Sequence, residues 1–179
     1  MDLKEHTVES KSIFKGKIVE LLVDQVRLPN GRLAGREVVR HPGGVTVLPL
    51  EEDGTVTLVR QYRYPIGREL LELPAGKIDD PAEPHAVAAA RELSEETGLT
   101  AAEWTYLGSM IASAGFCDEE LHLYLARGLT QEEQHPDEDE FLNVVTMPFD
   151  ELAAQVMDGT IRDAKTVAAV LKTKVLLGL

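Results

Sequence analysis

The stretch "PAGKIDDPAEPHAVAAARELSEETGL", residues 74–99, carries the strongest structural signal in this chain. Its residues 84–97 are good helix formers, and small or apolar side chains recur there at i, i+3, i+4 and i+7. These are Ala86, Ala89, Ala90 and Leu93. Gly98 follows where a left-handed C-cap ends a helix, and Asp79 and Asp80 are candidates for the N-cap. We therefore expect a helix over residues 84–97 that packs closely on a sheet through its alanines.

The same helix carries a crowded set of carboxylates. Glu92 and Glu96 are four residues apart, so they stack on one face, at the margin of the apolar stripe. Glu95 lies further round the helix, where Arg91 can reach it at i, i+4. Partly desolvated like charges are unfavourable unless they are paired. A divalent cation would pair them, and an all-oxygen set suits Mg²⁺ or Mn²⁺ rather than Zn²⁺. The alternative is a solvated acidic face.

Strand-like runs, bounded by turn signals, surround this helix. They cover residues 17–28, 33–40, 45–50, 56–62, 69–73, 104–112, 121–126 and 141–147. Two further helices are expected over residues 149–157 and 163–177. Pro42-Gly43-Gly44 breaks the chain and divides a β arm, 1–42, from a main body, 43–179. This order of elements predicts an α+β protein with a mixed sheet between helices.

The composition excludes several classes of protein. A net charge of −13 argues against a general nucleic-acid binder, because phosphate backbones are bound by Lys and Arg. No apolar run reaches the roughly 20 residues that span a membrane. The first ten residues are polar and show no secretory h-region, and the single cysteine, Cys117, is compatible with a reducing compartment. We expect a soluble cytoplasmic protein without a nucleic-acid or membrane partner.

From Gly76 to Leu99 the chain resembles the Nudix box, G-x5-E-x7-R-E-U-x-E-E-x-G-U, in which U is a bulky apolar residue. Every fixed position from Glu83 onward is matched. Six residues instead of five separate Gly76 from Glu83, and the extra residue falls in a loop, where insertions cost little. The resemblance implies a Nudix α/β/α sandwich with a mixed central sheet. It also implies that Arg91 and Glu83 orient the loop and the helix.

For this family the resemblance implies hydrolysis of a nucleoside diphosphate linked to another moiety, with Mg²⁺ as cofactor and Mn²⁺ as a possible substitute. The metal ligands would be Glu92, Glu96 and the backbone carbonyl of Ala75, assisted by Glu95. Such metal ions neutralise the diphosphate, polarise phosphorus and lower the pKa of bound water. The remaining catalysis is positioning and charge stabilisation.

Segments spread over residues 14–177 resemble the ADP-ribose pyrophosphatases in particular. In that group the N-terminal arm swaps across a homodimer and contributes to the substrate site. By that match Arg36 and Glu37 in "GREVV" bind substrate, Arg63 in "QYRYP" reaches the diphosphate, and Glu119 in "CDEE" is a site carboxylate. Taken alone, both arginines could equally be ordinary surface residues. The resemblance implies a homodimer that takes a small-molecule nucleoside diphosphate sugar.

The acidic run in "PDEDEFLNVV" resembles the segment that carries the catalytic carboxylate of this group. The match makes Glu138 the general base and Glu140 a further metal ligand, and it groups Glu95 with Glu138 as a catalytic carboxylate. From the residues alone, such a run before a strand either closes over a metal site or is a solvated charge run.

One departure concerns the choice of substrate. Members that prefer ADP-ribose read Ser-Pro-Gly-Phe where this chain has Ala114 in place of the proline, and alanine does not fix φ. The expected reaction is Mg²⁺-dependent hydrolysis of ADP-ribose to AMP and ribose 5-phosphate, or of related nucleoside diphosphate sugars or dinucleotides. Two other classes are a non-catalytic Nudix-fold binding protein and an isoprenoid diphosphate isomerase, for which Cys117 would be the catalytic cysteine.

Overall fold

A computed structural model describes residues 2–80, 82–135 and 141–179. The chain forms two compact units, one of Met1–Gly43 with Ile111–Glu120, the other of Gly44–Met110 with Leu121–Leu179. The first unit therefore takes in a segment beyond the predicted arm of residues 1–42. Within the described ranges, no helix is long and apolar enough to cross a membrane.

The first unit is built on a three-stranded antiparallel sheet in the order β1-β2-β3. The strands are β1 His6–Lys15, β2 Glu20–Arg27 and β3 Leu33–Arg40. The predicted turn between β2 and β3 is confirmed, with Gly31 at φ 84° donating its N–H to the Leu28 carbonyl over 2.9 Å. Sequence analysis missed β1, because all ten of its residues are exposed and it pairs with β2 without an apolar pattern.

The segment Ile111–Glu120 of this unit contains the turn with Ala114. The N–H groups of Phe116 and Cys117 both donate to the Ser113 carbonyl, over 3.1 and 2.9 Å, so the turn forms without proline. Beyond the turn, Val39 of β3 donates its N–H to Phe116 over 2.7 Å, and a parallel bridge joins Val39 to Cys117. This turn is therefore attached to the strand that carries Arg36 and Glu37.

The described residues of the second unit form two sheets and three α-helices. Its strands are β4 Gly44–Pro49, β5 Thr55–Arg63, β6 Arg68–Glu72, β7 Ala75–Lys77, β8 Leu99–Ile111, β9 Glu120–Gln131 and β10 Leu142–Pro148. Its helices are α1 His85–Thr97, α2 Phe149–Met157 and α3 Ala164–Leu177. One sheet has the antiparallel order β10-β5-β6, and the other has the order β7-β4-β9-β8. The second sheet is mixed, as predicted, since β4 runs antiparallel to β7 and parallel to β9.

Strand β4 lies at the centre of this unit, and all six of its residues are buried. Its Val45 and Val47 belong to a core cluster with α1, whereas Leu48 belongs to a second cluster with α2 and α3. Alternate side chains of a strand point to opposite faces, so helices cover both faces of the sheet. The structure thus confirms the α+β class and the α/β/α arrangement.

Helix α1 has the predicted length and end but a different buried face. Gly98 adopts φ 70° and donates its N–H to the Ser94 carbonyl over 2.8 Å, which confirms the C-cap. The N-cap prediction was wrong, because Pro84 occupies that position and Asp80 instead accepts from the Ala82 N–H over 2.8 Å. The buried residues of α1 are Ala88, Ala89, Glu92, Leu93, Glu96 and Thr97, while Ala86 and Ala90 are exposed. The two carboxylates therefore lie within the buried face, not at its margin.

Candidate active site

The carboxylate cluster forms where α1 packs under the turn of residues 74–76. Glu96 is 1% exposed and Glu92 is 7% exposed, so both carboxylates are largely withdrawn from water. The Ala75 N–H donates to Glu96 Oε2 over 2.9 Å. A Cβ atom at Gly76 would lie 1.9 Å from Glu92 Cδ and 2.1 Å from each Glu92 carboxylate oxygen. Only glycine permits this close approach, which explains the residue at the start of the box.

Arg91 links helix α1 to the loop before it through hydrogen bonds. Its Nη1 donates to Glu92 Oε1 over 2.8 Å and to Glu95 Oε2 over 2.9 Å. Its other nitrogens reach both oxygens of Glu83 at 3.4 Å, and Nη2 reaches the Lys77 carbonyl at 3.4 Å. Partial burial works to lower the pKa of Arg91, but the surrounding carboxylates outweigh it and raise that pKa. These contacts give Arg91 and Glu83 the orienting geometry expected of them.

The oxygen donors at this cluster are of the type that Mg²⁺ and Mn²⁺ prefer. Glu92, Glu96 and Glu95 supply carboxylate oxygens, and the Ala75 carbonyl is a further oxygen on the same turn. In residues 2–80, 82–135 and 141–179, no three acidic, histidine or cysteine side chains converge as a metal-binding group. The contacts explain this arrangement: Arg91 holds Glu92 and Glu95, and the Ala75 N–H holds Glu96.

A second charged cluster adjoins this one and was missed by the sequence analysis. Arg63 donates from Nε to Glu72 Oε1 over 2.8 Å and from Nη2 to Glu72 Oε2 over 2.9 Å. Lys165 also donates to Glu72 Oε2, and it lies 2.9 Å from Asp163 Oδ1. The hydrogen bond to Glu72 raises the pKa of Arg63, and the charge of Glu96 adds to the rise. The available signal was Glu72 itself, a single charge in the apolar run "LLELP".

The other predicted substrate residues belong to the first unit. Arg36 donates from Nε to Glu5 Oε2 over 2.9 Å and from Nη2 to Glu5 Oε1 over 2.5 Å. Glu37 is exposed on β3, and Glu119 Oε1 lies 3.4 Å from His41 Nδ1. Arg63 and the carboxylate cluster belong to the second unit, so these observed contacts of Arg36 and Glu119 are all internal to their own unit.

The predicted base Glu138 and the predicted ligand Glu140 lie outside the described residues. The segment just before them is bonded to the end of α1. The backbone N–H groups of Glu132 and His135 donate to Gly98 and Glu95 carbonyls over 2.7 and 3.2 Å. The Gln134 side chain donates to the Glu96 carbonyl over 2.6 Å. The last described residues before the acidic run are thus attached to the carboxylate helix.

Comparison with known families gives two matches that together cover most of the chain. The profile of the NUDIX domain matches residues 40–170. The profile of the nucleoside diphosphate sugar hydrolase N-terminal domain matches residues 5–39.

Individual relatives match over almost their whole length. An ADP-ribose pyrophosphatase of Bacillus subtilis (strain 168) is 41% identical over 170 residues, which cover 94% of this chain and 91% of the relative. A methanol dehydrogenase activator of Bacillus methanolicus is 42% identical over 169 residues, covering 93% and 91% respectively. A solved structure described as an ADP compounds hydrolase has a TM-score of 0.87 over 99% of this chain and 97% of its own. Its identity is 22%, so it supports the fold alone.

Proposed function

The chain belongs to the Nudix family, and we propose from this premise that it hydrolyses the diphosphate of ADP-ribose to AMP and ribose 5-phosphate. Other nucleoside diphosphate sugars and dinucleotides are the alternative substrates. The observation that carries the proposal is the pair of buried carboxylates, Glu92 and Glu96, under a turn that only a glycine allows to approach so closely. Glu92 is paired with Arg91, and Glu96 accepts from the Ala75 N–H. Carboxylate and backbone carbonyl oxygens are the ligands that Mg²⁺ prefers, which supports a cation site at this turn.

The metal site would use Glu92, Glu96, the Ala75 carbonyl and Glu140, with Mg²⁺ as the ion and Mn²⁺ as a substitute. When bound, such an ion neutralises the diphosphate and lowers the pKa of a bound water. Glu95, which Arg91 holds at 2.9 Å, is a second carboxylate of the reaction beside the metal ligands.

The remaining steps belong to the side chains of this chain. Arg63 binds the diphosphate and stabilises the charge that develops there. Glu138 accepts the proton of the attacking water. The new bond joins the water oxygen to one phosphorus, and the bond from that phosphorus to the bridging oxygen breaks. The two phosphate-bearing products then leave.

Substrate selection is assigned to the first unit. Arg36, Glu37 and Glu119 are proposed to bind the substrate, and Arg36 would exchange Glu5 for it. The turn at Ala114 forms without proline. Because alanine does not fix φ there, we expect the protein to accept several sugars. Each of these contacts would appear as a change in KM between sugars in the corresponding alanine variant.

The N-terminal arm, residues 1–42, is proposed to form a homodimer with the arm of a second copy. Support comes from β1, whose ten residues are all exposed, and from the exposed apolar side chains of Phe14 in this strand and Ile18 after it. Sedimentation equilibrium would show a dimer for the full chain, and a monomer at micromolar concentration would overturn this part. We place the protein in the cytoplasm, where the thiol of Cys117 would stay reduced.

A substrate panel tests the function. Purified protein is assayed with Mg²⁺ or Mn²⁺ against ADP-ribose, ADP-glucose, GDP-mannose, NADH, diadenosine polyphosphates and 8-oxo-dGTP, with phosphate measured after phosphatase treatment. Mg²⁺-dependent cleavage with the highest kcat/KM for ADP-ribose is expected. Absence of cleavage of every nucleoside diphosphate sugar would contradict the proposal. Cys117→Ala serves as the control against the isomerase chemistry, since a hydrolase should keep its activity.

A further inference from the structure

Arg63, at the end of β5, is held in one orientation by a carboxylate on the next strand. Glu72 of β6 accepts from Nε and from Nη2, which is the two-point geometry that fixes the guanidinium plane. The Glu72 side chain is only 2% exposed, whereas Arg63 is 38% exposed. The guanidinium therefore has one edge bound inside the protein and the other directed away from Glu72.

Lys165 and Asp163 complete the charge balance around Glu72. The Lys165 ammonium binds Glu72 Oε2 and Asp163 Oδ1, so two cations, Arg63 and Lys165, face two carboxylates. Without Lys165, Arg63 would be the only cation among the described residues that compensates the buried Glu72. A buried charge cluster of this kind keeps its geometry only while all partners are present.

The first turn of α3 also fixes the strand end that carries Glu72. Asp163 caps this helix by accepting from the Thr166 N–H over 3.0 Å and from its hydroxyl over 2.6 Å. The Thr166 oxygen in turn accepts from the Leu73 N–H over 3.0 Å. Leu73 follows Glu72 directly and leads into the turn whose Ala75 N–H binds Glu96. One helix terminus thus connects the support of Arg63 to the carboxylate cluster.

The free edge of Arg63 is suited to an anion. Of its five N–H groups, Glu72 takes one from Nε and one from Nη2. Within the described part of the chain, Nη1 makes no hydrogen bond that the structure records. Two parallel donors on one guanidinium edge match the spacing of phosphate oxygens.

We propose that Glu72, Lys165 and Asp163 are positioning residues that hold Arg63 with its free guanidinium edge toward the diphosphate of the substrate. This inference rests on the proposed function for the identity of the anion. It differs from a merely stabilising role, because the three residues would act on the reaction only through Arg63. Their effects and that of Arg63 should therefore not be additive.

A double-mutant cycle tests this dependence. Arg63→Gln should lower kcat/KM for ADP-ribose at least about 100-fold, and Lys165→Met about tenfold. When Arg63 is already Gln, Lys165→Met should cause no further loss. Lys165→Arg, which keeps the charge, should recover most of the activity. Lys172→Met is the matched control, since Lys172 lies on the same helix and binds the Leu107 carbonyl instead.

Binding of inorganic pyrophosphate, measured by calorimetry, separates this inference from the proposed function. The wild-type protein should bind it saturably, Lys165→Met should weaken binding about tenfold, and Lys172→Met should leave it unchanged. If no sugar substrate is cleaved but the pyrophosphate affinities follow this order, the proposed function is wrong and the positioning role stands. The positioning role is overturned if Lys165→Met lowers kcat/KM and pyrophosphate affinity as strongly in the Arg63→Gln protein as it does in the wild-type protein. Thermal unfolding of each variant verifies that folded protein is compared.

Discussion

Gly76 is the residue that most directly sets the geometry of the carboxylate cluster. It does not adopt a positive φ, so its role is steric and not conformational. The Glu92 carboxylate occupies the space that a Cβ atom would fill. A side chain at this position must push Glu92, a proposed metal ligand, out of place.

Gly76→Ala should therefore reduce Mn²⁺ affinity and kcat by at least about tenfold, which is the range expected when ligand orientation is lost. Gly35→Ala is the matched control, since Gly35 also lacks a positive φ and a Cβ there would meet nothing within 4 Å. Metal titration and steady-state kinetics measure both. Equal behaviour of the two variants would show that Glu92 tolerates displacement.

Helix α1 and the segment after β9 pack against each other at Gly98. Gly98 ends α1 at φ 70°, and a Cβ there would lie 2.7 Å from both the Gln131 amide nitrogen and the Glu132 carbonyl oxygen. Those contacts belong to the segment that leads toward Glu138. Glycine is thus needed at position 98 both for the left-handed backbone conformation and for the close packing of the segment after β9.

Gly98→Ala should lower the free energy of unfolding by about 1 kcal/mol for the left-handed backbone, with a further loss from the close contacts. Gly159→Ala isolates the first effect, because Gly159 has φ 80° but a Cβ there meets nothing within 4 Å. Urea unfolding compares their stabilities. We expect kcat to fall only in Gly98→Ala. An equal loss of kcat in both variants would show that the contact between Gly98 and the segment after β9 does not affect catalysis.

The elements that follow periodic apolar patterns were predictable from the sequence. Such patterns predicted helix α1 with its Gly98 cap and most strands of the second unit. Strand β7, with three residues, is too short to show a period, and β1 has no buried face. The rotation of the α1 stripe depends on what the helix packs against, so Ala88 and not Ala90 is buried.

The candidate site was predictable only in part. The box residues lie close together in sequence, whereas Glu72 and Lys165 meet across 93 residues. No local pattern specifies such a pairing. The roles of Glu138 and Glu140 remain predictions, because they lie outside the described residues.

The charged cluster around the buried Glu72 makes the stability of the whole protein depend on pH. Burial alone would raise the pKa of Glu72, but the hydrogen bond from Arg63 and the charge of Lys165 outweigh it and lower that pKa. A carboxyl group with a lowered pKa in the folded state stabilises the fold above its unfolded pKa. That stabilisation disappears as pH falls through the folded pKa.

Glu72→Gln should therefore lower the free energy of unfolding near pH 7 by about 2 kcal/mol, since it removes the anion that binds the buried Lys165 and the partly exposed Arg63 and leaves Lys165 with Asp163 alone. The difference from wild type should shrink as pH falls below about 4, where Glu72 of the unfolded chain takes up a proton, and it should vanish once pH falls through the lowered pKa of the folded state. Denaturant titrations across pH 3 to 7 measure this, with exposed Glu103→Gln as control. A difference that stays constant over that range would contradict the assignment.

The buried carboxylates of α1 are proposed to hold the catalytic metal. The most direct measurement is kcat for ADP-ribose at saturating Mg²⁺ in Glu96→Gln, compared with Glu103→Gln on the exposed surface. We expect a loss of about 100-fold or more in Glu96→Gln and none in the control. A Glu96→Gln enzyme within twofold of wild type would contradict it.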